Sequence, residues 1–192
     1  MKNLFIILLL LLFSLNIYSQ TINKYNYVSK SDSISKSDSI RIKLIDSINN
    51  QLNVRETSYN RGKMIDIYNK EVGASLGSSW CASFVGSNLK WAGVPSPPNP
   101  HSAWSPNYGK NNIIWKTKRI NNIQLKSGDV VTFYYSNLGR IGHTGFYIET
   151  DKDGYFITIE GNTNGDGSRE GDGVYKKKRS PNKIYTINRY IK

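Results

Sequence analysis

The sequence predicts an α+β protein, with helices in its first half and an antiparallel sheet in its second half. Apolar residues recur at helical spacing in NRGKMIDIYNKEVG (60–73), and a second helix begins near Cys81 and ends before Gly93 and Pro95. Five segments rich in β-branched and aromatic residues, separated by Gly, Asn and Asp turns, then predict strands: 130–135, 143–150, 155–162, 174–179 and 183–192. Helices followed by a run of strands are typical of the α+β class.

The first residues of each predicted helix offer candidate caps. Asn60 is the expected N-cap of the first helix, and Ser78 or Ser79 is the expected N-cap of the second. Cys81 would then lie in the first turn of the second helix, where free backbone N–H groups and the helix dipole stabilise an anion.

The N-terminus has the pattern of a secretory signal peptide. Lys2 is followed by an apolar core over 4–12 and by the small residue Ser19, so we expect residues 1–19 to be removed and Gln20 to become the first residue. An uncleaved membrane anchor is the alternative, but the apolar stretch is shorter than the roughly 20 residues of a spanning helix. The sequence therefore predicts an exported protein, periplasmic or extracellular, with no membrane span after cleavage.

Two further segments follow the expected signal peptide. Residues 20–53 are polar and biased in composition, and we interpret them as a linker with a possible short amphipathic helix, because apolar residues recur at intervals of four from Ile40 to Leu52. Residues 54–192 are long enough for one domain with its own core, and we expect it to be monomeric.

The charge of the chain limits its partners. A formal net charge of +12 favours an anionic partner: nucleic acid, a membrane surface or an acidic cell-wall polymer. Export argues against nucleic acid. The densest basic run, 176–179, is interpreted as the solvated lysine edge of a sheet.

Cys81 is the only cysteine, which excludes a disulfide within the chain. Two histidines and one cysteine would make a sparse zinc site, so the thiol is either packed in the core or reactive. A reactive thiol needs a base, usually His, and a group that orients the base. His101 lies in a Pro-rich loop without a nearby acidic residue and is interpreted as structural, whereas His143 begins a predicted strand.

A predicted hairpin supplies the orienting group. Strands 143–150 and 155–162 are joined around Asp-Lys-Asp-Gly, and an even loop length places His143 on the same sheet face as Glu160 and Asn162. If residue 151 lies opposite residue 154, His143 faces Asn162 and is diagonal to Glu160. An odd loop length would send the carboxylate to the other face. The sequence thus permits a Cys81–His143–Glu160 constellation, with Asn162 as a helper or a substitute.

These residues lie in blocks that resemble a known family. Cys81 lies in GSSWCASFVGSNLKWAG, His143 in GRIGHTGFYIE and Glu160 in ITIEGNTNG. Together with LKSGDVVTFYY, the blocks resemble those of the CHAP family of cysteine, histidine-dependent amidohydrolases/peptidases, which is related to NlpC-type cell-wall hydrolases and distantly papain-like. The resemblance covers roughly residues 55–192.

The resemblance implies a papain-like fold and a role for each candidate residue. Cys81 would be the nucleophile, His143 the general base and acid, and Glu160 the orienting residue, with Asn162 near the site. The family uses Glu, Asp or Asn in the third role. The implied substrate is peptidoglycan, cut either as an N-acetylmuramoyl-L-alanine amidase or as a peptide endopeptidase, without a cofactor.

Three other functions on the same fold are alternatives that the sequence leaves open: a non-catalytic wall-binding module, an acyltransferase and a secreted antibacterial effector.

The segment NTNGDG (162–167) resembles the first half of a calcium loop, but it begins with Asn, and its twelfth position is Gly173 where a bidentate Glu is expected. We therefore predict no metal site.

Overall fold

The computed structural model describes residues 34–95, 101–117, 119 and 123–192. The expected signal peptide and residues 20–33 of the expected linker lie outside the described residues. The described part of the chain contains three α-helices, α1 (Lys36–Asn49), α2 (Lys63–Glu71) and α3 (Cys81–Trp91). It also contains six strands: β1 (Ile113–Lys116), β2 (Val130–Tyr135), β3 (Arg140–Thr150), β4 (Phe156–Thr163), β5 (Gly173–Arg179) and β6 (Thr186–Asn188). No helix in these ranges combines the length and the apolar character that crossing a bilayer requires.

The strands form one antiparallel sheet in the order β1-β6-β2-β3-β4-β5. This confirms the α+β class and the predicted packing of helices on an antiparallel sheet. Strand β1 was not predicted, because its four residues are too few to show a period-2 pattern. The last predicted strand, 183–192, is reduced to β6, since a 3₁₀ turn at Pro181–Lys183 precedes it.

Helix α3 packs directly against the centre of the sheet. Its Phe84 ring meets the Phe146 ring of β3 edge-on, with centroids 5.9 Å apart. On β4, a Cβ at Gly161 would lie only 2.8 Å from the side chains of Phe84 and Trp80. The absence of a side chain at Gly161 therefore allows the N-terminal end of α3 to approach β4 closely.

Helix α1 packs into the same hydrophobic core as α3 and the sheet. Leu44 and Ile48 are fully buried in the same hydrophobic cluster as the apolar residues of α3. A buried hydrogen bond of 2.8 Å from the Gln51 amide to Asn88 Oδ1 ties the end of α1 to α3. The compact unit that contains the sheet spans Ser37–Lys192, so it includes nearly all of α1, which precedes the expected domain start at residue 54.

The starts of α2 and α3 correct the predicted caps. Helix α2 begins after Gly62, not at Asn60, and α3 begins after Trp80, so that neither serine at 78–79 is its N-cap. Neither helix has a side-chain hydrogen bond at its N-cap. Cys81 is nevertheless the first residue of α3, and so it lies in the first turn of the helix, as the sequence predicts.

Candidate active site

The Cys81 thiol lies at the N-terminal end of α3, with 5% of the residue exposed. Its Sγ atom is 3.3 Å from the Ser105 hydroxyl oxygen. Burial alone would raise the pKa of the thiol, but the neighbouring His143 ring, the Ser105 hydroxyl and the Thr144 backbone N–H stabilise the thiolate. As a result the pKa of Cys81 lies below its ordinary value, which favours the nucleophilic form.

His143 and Glu160 form a fully buried pair beside the thiol. Nε2 of His143 lies 2.9 Å from Oε2 of Glu160. Nδ1 makes no hydrogen bond of good geometry within the described residues, and it is the ring nitrogen left to exchange a proton. Burial would lower the pKa of His143, but Cys81 and Glu160 outweigh it and raise the pKa to about 9. The site therefore favours a thiolate beside an imidazolium.

The turn between β3 and β4 is one residue longer than the predicted pairing of residues 151 and 154 would make it. Asp151 N–H donates to Tyr155 C=O at 2.8 Å, so residues 152–154 form a three-residue loop. Asp151 therefore pairs with residue 155 and not with residue 154. The predicted even loop length was wrong, and a regular hairpin with this turn would have separated His143 from Glu160.

A β-bulge reverses that effect. The β3–β4 register shifts between Tyr147 and Glu149, so Ile148 is an extra residue on β3. Beyond the bulge Phe146 faces Ile159, which is the register expected from the sequence. His143 and Glu160 consequently lie on one face. Gly145 also contributes, because a Cβ there would lie 2.6 Å from Cγ of Glu160.

Asn162 is buried but bonds to other partners than His143. In the amide orientation that satisfies its neighbours, it donates to Gly171 C=O at 2.8 Å and accepts from Trp80 N–H at 3.1 Å. Its backbone has a left-handed φ of 56°. Glu160, rather than Asn162, is thus the residue that contacts the His143 ring, while Asn162 holds the backbone next to Cys81.

Arg179 is a site residue that the sequence interpretation missed. Its Nε donates to Oε1 of Glu160 at 2.8 Å, and its Nη2 donates to Oε2. Burial would raise the pKa of Glu160, but Arg179 and then His143 outweigh it and lower the pKa to about 2. The carboxylate therefore stays ionised although it is completely buried.

Exposed and half-buried residues alternate along the second half of β5, and Arg179 falls on a half-buried position. This alternation is the signal that could have identified Arg179. β5 is an edge strand, and its exposed Lys176 and Lys178 pair with Glu149 and Asp151 of the neighbouring hairpin. The solvated-edge interpretation is confirmed for these two lysines. It was wrong for Arg179, whose hydrogen bonds to Glu160 take it into the site.

The loop that precedes β1 supplies Ser105, which was also missed. Ser105 begins a 3₁₀ turn (Ser105–Gly109) and is buried against Cys81. His101, in the same loop, lies away from this pair: its Nε2 is 3.0 Å from Val94 C=O. Burial lowers the pKa of His101, in keeping with a structural role.

A cleft of about 510 Å³ adjoins the site through Asn162. Three of its side chains are carboxylates. Its lining consists of Glu56, Tyr59, Asn60, Asn162, Asn164, Gly165, Glu170, Gly171, Asp172 and Tyr175.

Within the described ranges, no group of three or more His, Cys, Asp or Glu side chains is arranged to hold a metal ion. At the twelfth position of the calcium-like segment, Gly173 pairs with Thr163 in the sheet.

Comparison with known proteins gives one match. Residues 73–162 match the family model of the CHAP domain, and this span contains Cys81, His143, Glu160 and Asn162. No curated protein and no solved structure shows a significant match. CHAP domains are usually hydrolases that act on peptidoglycan. A thiol at a helix start, a buried histidine beside it and an antiparallel sheet beneath accord with this match of residues 73–162 to the CHAP family.

Proposed function

We propose that this protein is an exported thiol hydrolase that cleaves an amide bond of peptidoglycan through a thioester intermediate on Cys81. The observation that carries the proposal is the buried His143, bonded to Glu160 at 2.9 Å and coupled to the Cys81 thiol. A nucleophile, a base and a group that orients the base are the components of covalent acyl transfer.

The reaction follows from the charges of the site. The Cys81 thiolate attacks the amide carbon, and the backbone N–H of Cys81 at the start of α3 stabilises the oxyanion. His143 then gives its proton to the leaving amine. Water, deprotonated by His143, hydrolyses the thioester and releases the acid. Glu160 holds the ring and stabilises the imidazolium, and it is not itself protonated.

Export and charge support a cell-wall substrate. The segment 1–19 has the pattern of a cleaved signal peptide, which would bring the enzyme to the compartment that holds peptidoglycan. The net charge of +12 favours association with an anionic wall polymer. N-terminal sequencing of the secreted protein tests the export proposal, with Gln20 as the expected first residue.

Digestion of purified peptidoglycan tests the activity. The expected mature chain (20–192) should release fragments detectable by mass spectrometry, and Cys81→Ala should lower the rate by several orders of magnitude. Ser83→Ala is the matched control, because it removes a buried hydroxyl of the same helix that has no hydrogen-bond partner within the described residues. The fragment masses distinguish an amidase from a peptide endopeptidase.

Three results would contradict the proposal. Equal product release by the wild type and Cys81→Ala would exclude thiol catalysis. Sedimentation with the wall in the absence of products would indicate a binding module. Transfer of the released acyl group to an added amine, in place of water, would indicate an acyltransferase.

A further inference from the structure

The Ser105 hydroxyl is aimed at the reactive sulfur. Ser105 is 6% exposed, and its Oγ lies 3.3 Å from Sγ of Cys81. Among the described residues the thiol is the only side-chain partner of this hydroxyl. A polar group buried in this way normally has a defined partner, and here that partner is the nucleophile.

The loop around Ser105 is fixed by its own hydrogen bonds. The Tyr108 hydroxyl accepts from Ser102 N–H at 3.0 Å and lies 2.9 Å from Ser102 C=O. The Ser102 hydroxyl in turn accepts from Asn107 Nδ2 at 2.9 Å. The Tyr108 ring is fully buried and packs edge-on against Tyr190, with centroids 6.0 Å apart. These contacts hold Ser105 in place independently of its contact with the sulfur.

The protonation state of Cys81 decides the direction of this hydrogen bond. A thiolate has no proton, so Ser105 can only donate to it. A neutral thiol could instead donate to the Ser105 oxygen. We propose that Ser105 is a catalytic residue that donates a hydrogen bond to the Cys81 thiolate and tunes its reactivity, an inference that rests on the proposed thiol chemistry of this site.

The two directions predict opposite effects of removing the hydroxyl. If Ser105 donates to the thiolate, Ser105→Ala removes a charge-assisted hydrogen bond, and the pKa of Cys81 should rise by about 1–2 units. If the neutral thiol donates to Ser105, the same variant should lower that pKa. A less stabilised thiolate is also more nucleophilic, by about threefold for each unit by which the pKa rises.

The rate of Cys81 alkylation by iodoacetamide, measured from pH 4 to 10, tests the inference without any peptidoglycan. We expect Ser105→Ala to alkylate more slowly than the wild type at acidic pH. On the alkaline plateau, where both thiols are ionised, it should alkylate at least as fast. The two profiles should therefore cross, which a mere loosening of the loop does not produce. Ser105→Thr, which keeps the hydroxyl, should restore the wild-type profile.

Ser83→Ala serves as the matched control, since its buried hydroxyl has no partner within the described residues, and its profile should coincide with that of the wild type. Thermal unfolding followed by circular dichroism establishes that each variant is folded. An unchanged or lowered pKa in Ser105→Ala overturns the proposal. Because alkylation needs only the thiol, a failure of peptidoglycan cleavage leaves this result valid and counts against the proposed function alone.

Discussion

Replacement of Arg179 by Met should strongly destabilise the protein, because it leaves the buried Glu160 carboxylate without its bidentate partner. Glu160 is completely buried, and the Arg179 side chain is 16% exposed. Removal of one member of a buried ion pair costs about 3–5 kcal/mol. Since His143 and the Thr158 hydroxyl still bond to the carboxylate, we expect the lower end, about 3 kcal/mol. The pKa of Glu160 should rise from its value of about 2.

Urea unfolding at pH 7, followed by tryptophan fluorescence, measures this cost. Lys178→Met is the matched control: the residue precedes Arg179 on the same strand, but its charge lies on the exposed side and pairs with Asp151 and Asp153. We expect little or no change in its unfolding midpoint. Glu160→Gln in the Arg179→Met background should partly restore stability, because a neutral amide needs no counter-charge.

Two results would refute this reasoning. Equal unfolding midpoints for Arg179→Met and Lys178→Met would show that Arg179 is only another edge cation. Strict additivity of Arg179→Met and Glu160→Gln would show that the two side chains do not stabilise each other in the folded protein.

Two further predictions follow from the same site. The pKa of Glu160 is lowered from 4.5 to about 2, chiefly by Arg179, and that of His143 is raised from 6.5 to about 9, chiefly by Cys81. The two charged side chains should therefore stabilise the fold most between about pH 4.5 and 6.5. This stabilisation should be lost as the pH falls toward 2 and as it rises through 9. Urea unfolding of the wild type and of Glu160→Gln at a series of pH values measures it. Identical dependence of the unfolding midpoint on pH in the two proteins would contradict the prediction. Asn162→Ala should cost about 1–3 kcal/mol in urea unfolding, because Trp80 N–H loses its acceptor, and an unchanged midpoint would exclude this contact.

Local sequence patterns predicted the elements that carry the site, but not all of their pairing. The periodicity around Cys81 predicted α3, and the β-branched runs predicted β3 and β4. The length of the turn after Thr150 was predicted wrongly, yet His143 and Glu160 still lie on one face. The bulge at Ile148 compensates for the turn, and nothing in the alternation of this strand reveals a bulge, because it arises from pairing with β4.

The partners of the site residues were harder to predict, because they come from distant parts of the chain. Ser105 follows a Pro-rich loop that has no periodic pattern, so its contact with Cys81 depends on the tertiary fold. Arg179 ends a run of four basic residues, two of which are ordinary edge lysines. A stronger rule was available from physical chemistry: a carboxylate predicted to be buried requires a cation beside it.

That rule explains why the third member of this site can be Glu. From Arg179 through Glu160 and His143 to Cys81, the favoured charges alternate from positive to negative. Without Arg179, burial would favour protonation of Glu160, and a neutral carboxyl group could no longer raise the pKa of His143. Cys81 alone would then raise the pKa of His143, so the imidazolium that stabilises the thiolate would be less favoured. Arg179 therefore supports the Cys81 thiolate through two intervening residues, and Arg179→Met should raise the pKa of Cys81 in the same alkylation assay that tests Ser105.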